Sequence, residues 1–154
     1  LDAYTSKGTG AAVASYINWI GSERDHERMI HKIMNMDGDV NNDSRELFDL
    51  LYNAMDQVAQ FGRTAKFDYL TMVGKMGLVP IEPGKIYLAQ ATGPLRGARL
   101  LFGGNIKASL SLSILNSNLD SLEHHLDLYF GMQVLEDALC NWQKSPDSYI
   151  HFSG

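Results

Sequence analysis

The sequence holds a single cysteine, no long apolar run and a long central span without acid, and each scarcity narrows what the chain can be. A lone thiol, Cys140, cannot close an internal disulfide framework and fits a reducing compartment. No apolar stretch approaches the roughly 18 residues that a membrane helix needs, and no basic-then-apolar leader pattern opens the chain. No membrane association is therefore expected. Internal repeats, low-complexity tracts and a linker long enough to divide the chain are also missing. What remains is the composition of one globular domain: 154 residues, 45% hydrophobic and 20% charged, with enough apolar side chain for a buried core. The first residue is Leu1 rather than methionine, and we expect a piece of a longer protein.

A net charge of −5 argues at first against nucleic acid, because phosphate recognition needs a basic surface. The charge is unevenly spread, however. Residues 1–61 carry five Lys/Arg against ten Asp/Glu, residues 62–119 seven against two, and residues 120–154 one against six. From Pro83 to Leu119 there is no acid, while Lys85, Arg96, Arg99 and Lys107 are present. The middle third is where an anionic partner would bind.

Apolar spacing predicts an all-α chain. Val13, Tyr16, Ile17 and Ile20 define a helix over 10–21, and Met29, Ile30, Ile33 and Met34 one over 24–36. The polar run DGDVNNDS ends that pair. A third helix starts at Asp43 or Ser44, either a good N-cap, and runs to about Phe61. A fourth covers 63–76, with Phe67, Leu70 and Val73 inward and Arg63, Lys66 and Lys75 outward. Gly77 supplies its left-handed end and Pro80 prevents continuation. The alternating run SLSLSIL at 109–115 also fits one helical face through Ile106, Leu110 and Ile114, and helix is preferred because no partner strand is near. A last segment, 119–144, changes its apolar face from Leu119, Leu122, Leu126 and Phe130 to Val134, Leu135, Ala138 and Leu139, which predicts a break at Gly131.

The most informative stretch is IYLAQATGPLRGARLLFGG, residues 86–104. A short helix through Leu88 and Ala91 would meet a tight turn at Thr92-Gly93, and Pro94 would open a second helix. Gly97 and Ala98 would keep that helix slim enough for a close approach. Unpaired N–H groups of the turn, beside Arg96 and Arg99, make a site for one phosphate of a DNA backbone, with Lys107 nearby. Such a grip reads no sequence. An ordinary helix connection with a solvated arginine face accounts for the same residues.

The runs KFDYLTMVGKMGL, ATGPLRGARLLFGG and MQVLEDALCNWQKSP resemble the alpha-glutamyl/putrescinyl thymine pyrophosphorylase clade 3 family over roughly residues 60–146. That family is similar to helix-hairpin-helix DNA glycosylases and is tied to hypermodified pyrimidines in phage DNA. Its name implies transfer of an amine to a pyrophosphorylated hydroxymethyl-pyrimidine. Its glycosylase-like fold, and members in bacterial phage defence, imply instead excision of a bulky modified base in the bacterial cytoplasm. A non-catalytic DNA-binding helical module is a third reading.

Glycosylases of that kind place an aspartate at a helix start soon after the hairpin. Asp120 is the first acid after Arg99, and there it could orient water and stabilise a cationic sugar. Asp120 with Glu123 three residues on is equally a capping box. The alternatives are Asp68, Glu136 and Asp137. Arg63 and Lys66 could contact phosphate. Tyr69 could stack on a flipped base or be half-buried packing. The hairpin offers no lysine, and its arginines stay protonated, so a glycosylase here would be monofunctional. No metal or cofactor is expected. DGDVNND has Asn42 where a calcium loop needs glycine and Phe48 where it needs glutamate. His26 and His31 are five apart, His124 and His125 adjacent, and neither pair has zinc-ligand spacing. No phosphate loop, dinucleotide fingerprint or nucleophile elbow is present.

Overall fold

The computed structural model describes residues 4–36 and 43–148. Among the described residues there are seven α-helices and no strand. The order is α1 (Thr9–Ile20), α2 (His26–Met36), α3 (Ser44–Ala54), α4 (Arg63–Lys75), α5 (Thr92–Gly103), α6 (Leu112–Leu126) and α7 (Gly131–Trp142). Two compact units divide the chain after Gly84. The polar run at 37–44 lies, up to Asn42, outside the described residues, as does the body of the rejected calcium loop.

In the first unit, α2 starts at His26 rather than 24 because Arg24 takes a left-handed backbone (φ 51) that no helix continues. Asp25 then acts as the cap, its Oδ1 accepting from the Arg28 N–H at 3.1 Å. Asp43 caps α3, accepting from the backbone N–H groups of Arg45 (2.7 Å) and Glu46 (3.3 Å). The helix expected to reach Phe61 stops at Ala54 and gives way to a tight turn, Met55–Gln57, and extended Val58. A tertiary partner replaces a helical one there: the Ala59 N–H donates to Ser15 Oγ on α1 at 2.8 Å. The core lies between α3 and α4, around Phe48 and Phe67, whose rings meet edge-on at 6.0 Å. Leu47, Leu51, Met55 and Leu70 are buried beside them, and Val79 and Ile81 are buried in the segment that follows α4. That returning segment is pinned by Glu82, which donates its N–H to the Ser44 carbonyl and pairs with Arg45 at 3.1 Å. Gly77 ends α4 in the left-handed region (φ 69), as expected. The apolar face expected of α1 is not buried: Val13 and Ile17 are exposed.

The second unit corrects three expectations. Residues 86–104 form one short 3-10 helix, Leu88–Gln90, where a short helix is expected, and one α-helix, α5, that begins at Thr92. Thr92 and Gly93 are thus its first two residues rather than a turn, and Pro94 is the third, still where its absent N–H costs no bond. Residues 104–110 are not helical, and α6 starts at Leu112, capped by Ser111 Oγ, which accepts from the Ile114 N–H at 3.2 Å. The break near Gly131 is real, but it spans Asp127 to Phe130, both left-handed (φ 47 and φ 54), and Gly131 opens α7. Glycine is needed at that position for space, since a Cβ would lie 2.6 Å from Glu123 Cγ. The inward face of α7 is Met132, Leu135, Glu136 and Leu139, with Val134 and Ala138 turned outward. Met132, Leu135 and Leu139 join Ile86, Leu88, Ala98, Leu115 and Leu119 in one core.

Candidate functional site

At the start of α5 the N-cap residue is Ala91, which has no side-chain cap to offer, and the first turn carries no acid. The first N–H groups of a helix lack acceptors within it, and they carry the positive end of its dipole. Thr92 and Arg96 are exposed and Arg99 is half-buried, its Nε buried without a hydrogen-bond partner among the described residues. Lys107 is exposed on the following loop, where its N–H donates to Asn105 Oδ1 at 2.8 Å. The two glycines have a different role from the one expected. A Cβ on Gly97 would overlap the Leu139 backbone carbonyl, and one on Gly93 would lie 2.6 Å from Cys140 Sγ. The close approach they permit is therefore between α5 and α7.

Among the candidate acids, Asp120 is the ninth residue of α6 and exposed. It neither caps a helix nor forms a capping box with Glu123, because the helix begins eight residues before it, at Leu112. Asp68 is exposed on α4, on the solvent side of the helix. Asp137 is exposed on α7, hydrogen-bonded by Gln133. Glu136, by contrast, is buried, as is Glu123. Asp68 belongs to the first unit, and Asp120, Glu136 and Asp137 to the second.

Two of the three cations of α4, Arg63 and Lys66, point inward, contrary to the outward placement that their charge suggests, while Lys75 is exposed as expected. Lys66 is 4% exposed, with Nζ 2.5 Å from Asp56 Oδ1 and 3.8 Å from the centre of the Tyr52 ring. Arg63 is also buried, its guanidinium 4.4 Å from the centre of the Phe67 ring. Both cover aromatic core faces with their charge, which an apolar-period reading scores as two outward residues.

Tyr69 lines a pocket of about 720 Å³ within the first unit. That volume is ordinary for a small-molecule site. Its floor is apolar, built from buried Met29, Leu51, Leu70 and Val79. Trp19 and Tyr69 supply aromatic wall, and His26, Glu27 and His31 supply the polar rim. Glu27 Oε1 lies 3.9 Å from His31 Nε2. The Tyr69 hydroxyl is held 2.5 Å from that of Tyr16, which lies 2.8 Å from His26 Nε2. Burial first, and then the bond to Tyr69, push the Tyr16 phenol far up, so it stays protonated and keeps this chain of hydroxyls in place. Phe61 stacks on Tyr16 at 6.2 Å and holds the cluster from one side.

His26, Glu27 and His31 escape a sequence reading that considers the two histidines only as zinc ligands. The signal is present all the same: positions 26, 27, 30, 31 and 34 share one face of α2, and all five line the pocket. Among the described residues, no group of three or more His, Cys, Asp or Glu is arranged to hold a metal ion. Among the same residues, no helix is long and apolar enough to cross a membrane.

No curated protein and no solved structure matches the chain. A family match, in contrast, covers all of residues 1–154. The all-α chain, with its aromatic-walled pocket and its helix start beside arginine, belongs to the alpha-glutamyl/putrescinyl thymine pyrophosphorylase clade 3 family.

Proposed function

We propose that the chain acts on a bulky modified pyrimidine in DNA and excises it, leaving an abasic site. The observation that carries the reading is the pocket of about 720 Å³ with Tyr69 in its wall, in a family named for enzymes of a modified thymine. A pyrimidine inside a duplex cannot reach such a pocket, so it would be extruded, at a cost of a few kcal/mol. Stacking on Tyr69 and contact with the apolar floor offset that cost, and the roomy volume accepts a substituent that an ordinary base lacks. Backbone grip is assigned to Thr92, Gly93, Arg96 and Arg99 at the start of α5, with Lys107: N–H donors, a positive dipole end and guanidinium groups suit a phosphate.

In excision the glycosidic bond breaks, its electron pair leaves with the base, and water adds to the cationic sugar carbon. A carboxylate beside that carbon stabilises the charge and takes the water proton. We assign this role to Asp120, with Asp68, Glu136 and Asp137 as the alternatives the same assay separates. No lysine accompanies Arg96 and Arg99 on α5, so the enzyme would be monofunctional, with water as the nucleophile. The family name favours a second reading, amine transfer onto a pyrophosphorylated hydroxymethyl-pyrimidine. That reaction breaks a bond at the exocyclic carbon and leaves the glycosidic bond intact.

The test of the base site is Tyr69. Tyr69→Ala should weaken binding of modified DNA by about 1–3 kcal/mol of lost stacking. Tyr69→Phe keeps the ring and should keep that affinity. Equal binding of both DNAs by the unaltered protein would refute the assignment, and binding without any product would indicate a non-catalytic module.

A further inference from the structure

Beside the first-unit pocket, side chains from three helices form one chain of hydrogen bonds: Tyr69 on α4, Tyr16 on α1 and His26 at the start of α2. The Tyr16 hydroxyl lies 2.5 Å from that of Tyr69 and 2.8 Å from His26 Nε2. The two ends of the chain, Tyr69 and His26, both line the pocket. Tyr16 keeps its proton, as burial dictates, and gives it to one neighbour at a time. The chain therefore runs in one of two directions. When Nε2 is bare it accepts from Tyr16, Tyr16 accepts from Tyr69, and the Tyr69 proton is held inside the chain. Protonation of His26 puts a hydrogen on Nε2 and removes that acceptor. Nε2–H then donates to Tyr16, Tyr16 donates to Tyr69, and the Tyr69 proton is left for an acceptor in the pocket.

We propose that His26, acting through Tyr16, sets the direction of the Tyr69 hydroxyl, so that a protonated His26 makes Tyr69 a donor to a carbonyl oxygen of the base in the pocket. This rests on the pocket being the base site. Tyr69 touches the base; Tyr16 and His26 are positioning residues. The carbonyl oxygens of a pyrimidine gain negative charge as the glycosidic electron pair leaves with it. A donor already aimed at one of them binds the leaving base more strongly than the intact nucleotide. The other charged groups near His26 are on or next to its own helix: Glu27 and His31 pair at 3.9 Å, and Asp25 accepts from the Arg28 N–H. From α3 and the segment after α4 the pocket receives apolar Leu51, Leu78, Val79 and Pro80.

The experiment measures calorimetric binding of free hydroxymethyluracil at about pH 8 and about pH 5.5, either side of the ordinary histidine titration. The probe keeps the ring carbonyls and stays neutral across that window. Affinity for the unaltered chain should rise about fivefold at the lower pH, the worth of one hydrogen bond. Tyr69→Phe keeps the ring without the hydroxyl and should show the weaker affinity at both pH values. Tyr16→Phe releases the Tyr69 proton whatever the state of His26, and should show the tighter affinity at both. His26→Gln, at an exposed position that spares the core, should lose the pH dependence, and His31→Gln should keep it. Circular dichroism at both pH values checks each fold. Equal affinity of the unaltered chain at the two pH values would overturn the inference and leave the pocket standing. So would a pH dependence that survives in His26→Gln, or weak binding by Tyr16→Phe at both. Failure of the unaltered chain to bind the probe at either pH would remove the base-pocket reading, and this inference with it.

Discussion

Gly97 and Lys66 are two residues whose roles depend on what lies across from them. Sequence marks Gly97 as a slim point in a hairpin, and slim it is, but the surface it admits is the Leu139 carbonyl of α7. Gly97→Ala must move backbone, and should destabilise the second unit by about 1–3 kcal/mol, read as a lower urea midpoint. Gly93→Ala meets only the Cys140 thiol, which can rotate away, so its cost should be smaller. Equal, negligible costs for both would contradict the packing of α5 on α7. Lys66 reads as outward because it is charged. Its partner Asp56 lies ten residues back, beyond the reach of helical spacing, so its burial beside Tyr52 is not legible locally. Tyr69 is legible as half-buried, and its half-burial is what gives the pocket an aromatic wall.

Helix identity can be read from the sequence; helix ends can be read only where a strong signal sits. Gly77 with Pro80 marks the end of α4, and Asp43 marks the start of α3. The start of α6 is harder to place because SLSLSIL offers several serines at once, and which of them caps depends on where the loop from α5 releases the chain. The true start matters for chemistry. With Asp120 in mid-helix, Asp120→Asn removes no cap, and a melting curve on the same preparation separates any cost in stability from an effect on turnover. If Asp120 stabilises the cationic sugar, single-turnover excision should fall on the order of 100-fold or more at a temperature where both proteins are folded. A normal rate passes the role to Asp68, Glu136 or Asp137.

Across the whole molecule, the basic residues that could meet a phosphate are concentrated where the charge distribution points, between Pro83 and Leu119. The pocket, however, is in the acidic N-terminal unit, a location that charge counting alone would discard. Pocket formation needs α1, α2, α3, α4 and the 78–80 segment together, and no local pattern carries that information. If α5 holds the DNA backbone, replacing Arg96 and Arg99 by alanine should weaken binding to all sequences alike. The slope of log affinity against log salt should shrink by about 0.9 for each phosphate that is no longer neutralised. Unchanged affinity at low salt in a folded double mutant would return α5 to a purely structural role. The central claim is excision of a modified pyrimidine, and one measurement tests it most directly. DNA bearing a hypermodified thymine is incubated with the chain, the released small molecules are identified by mass spectrometry, and abasic sites are counted in the same sample. The account predicts free modified base and abasic sites in equal amounts, and neither from unmodified DNA. Modified DNA that gains or loses a substituent while every glycosidic bond stays intact would contradict it.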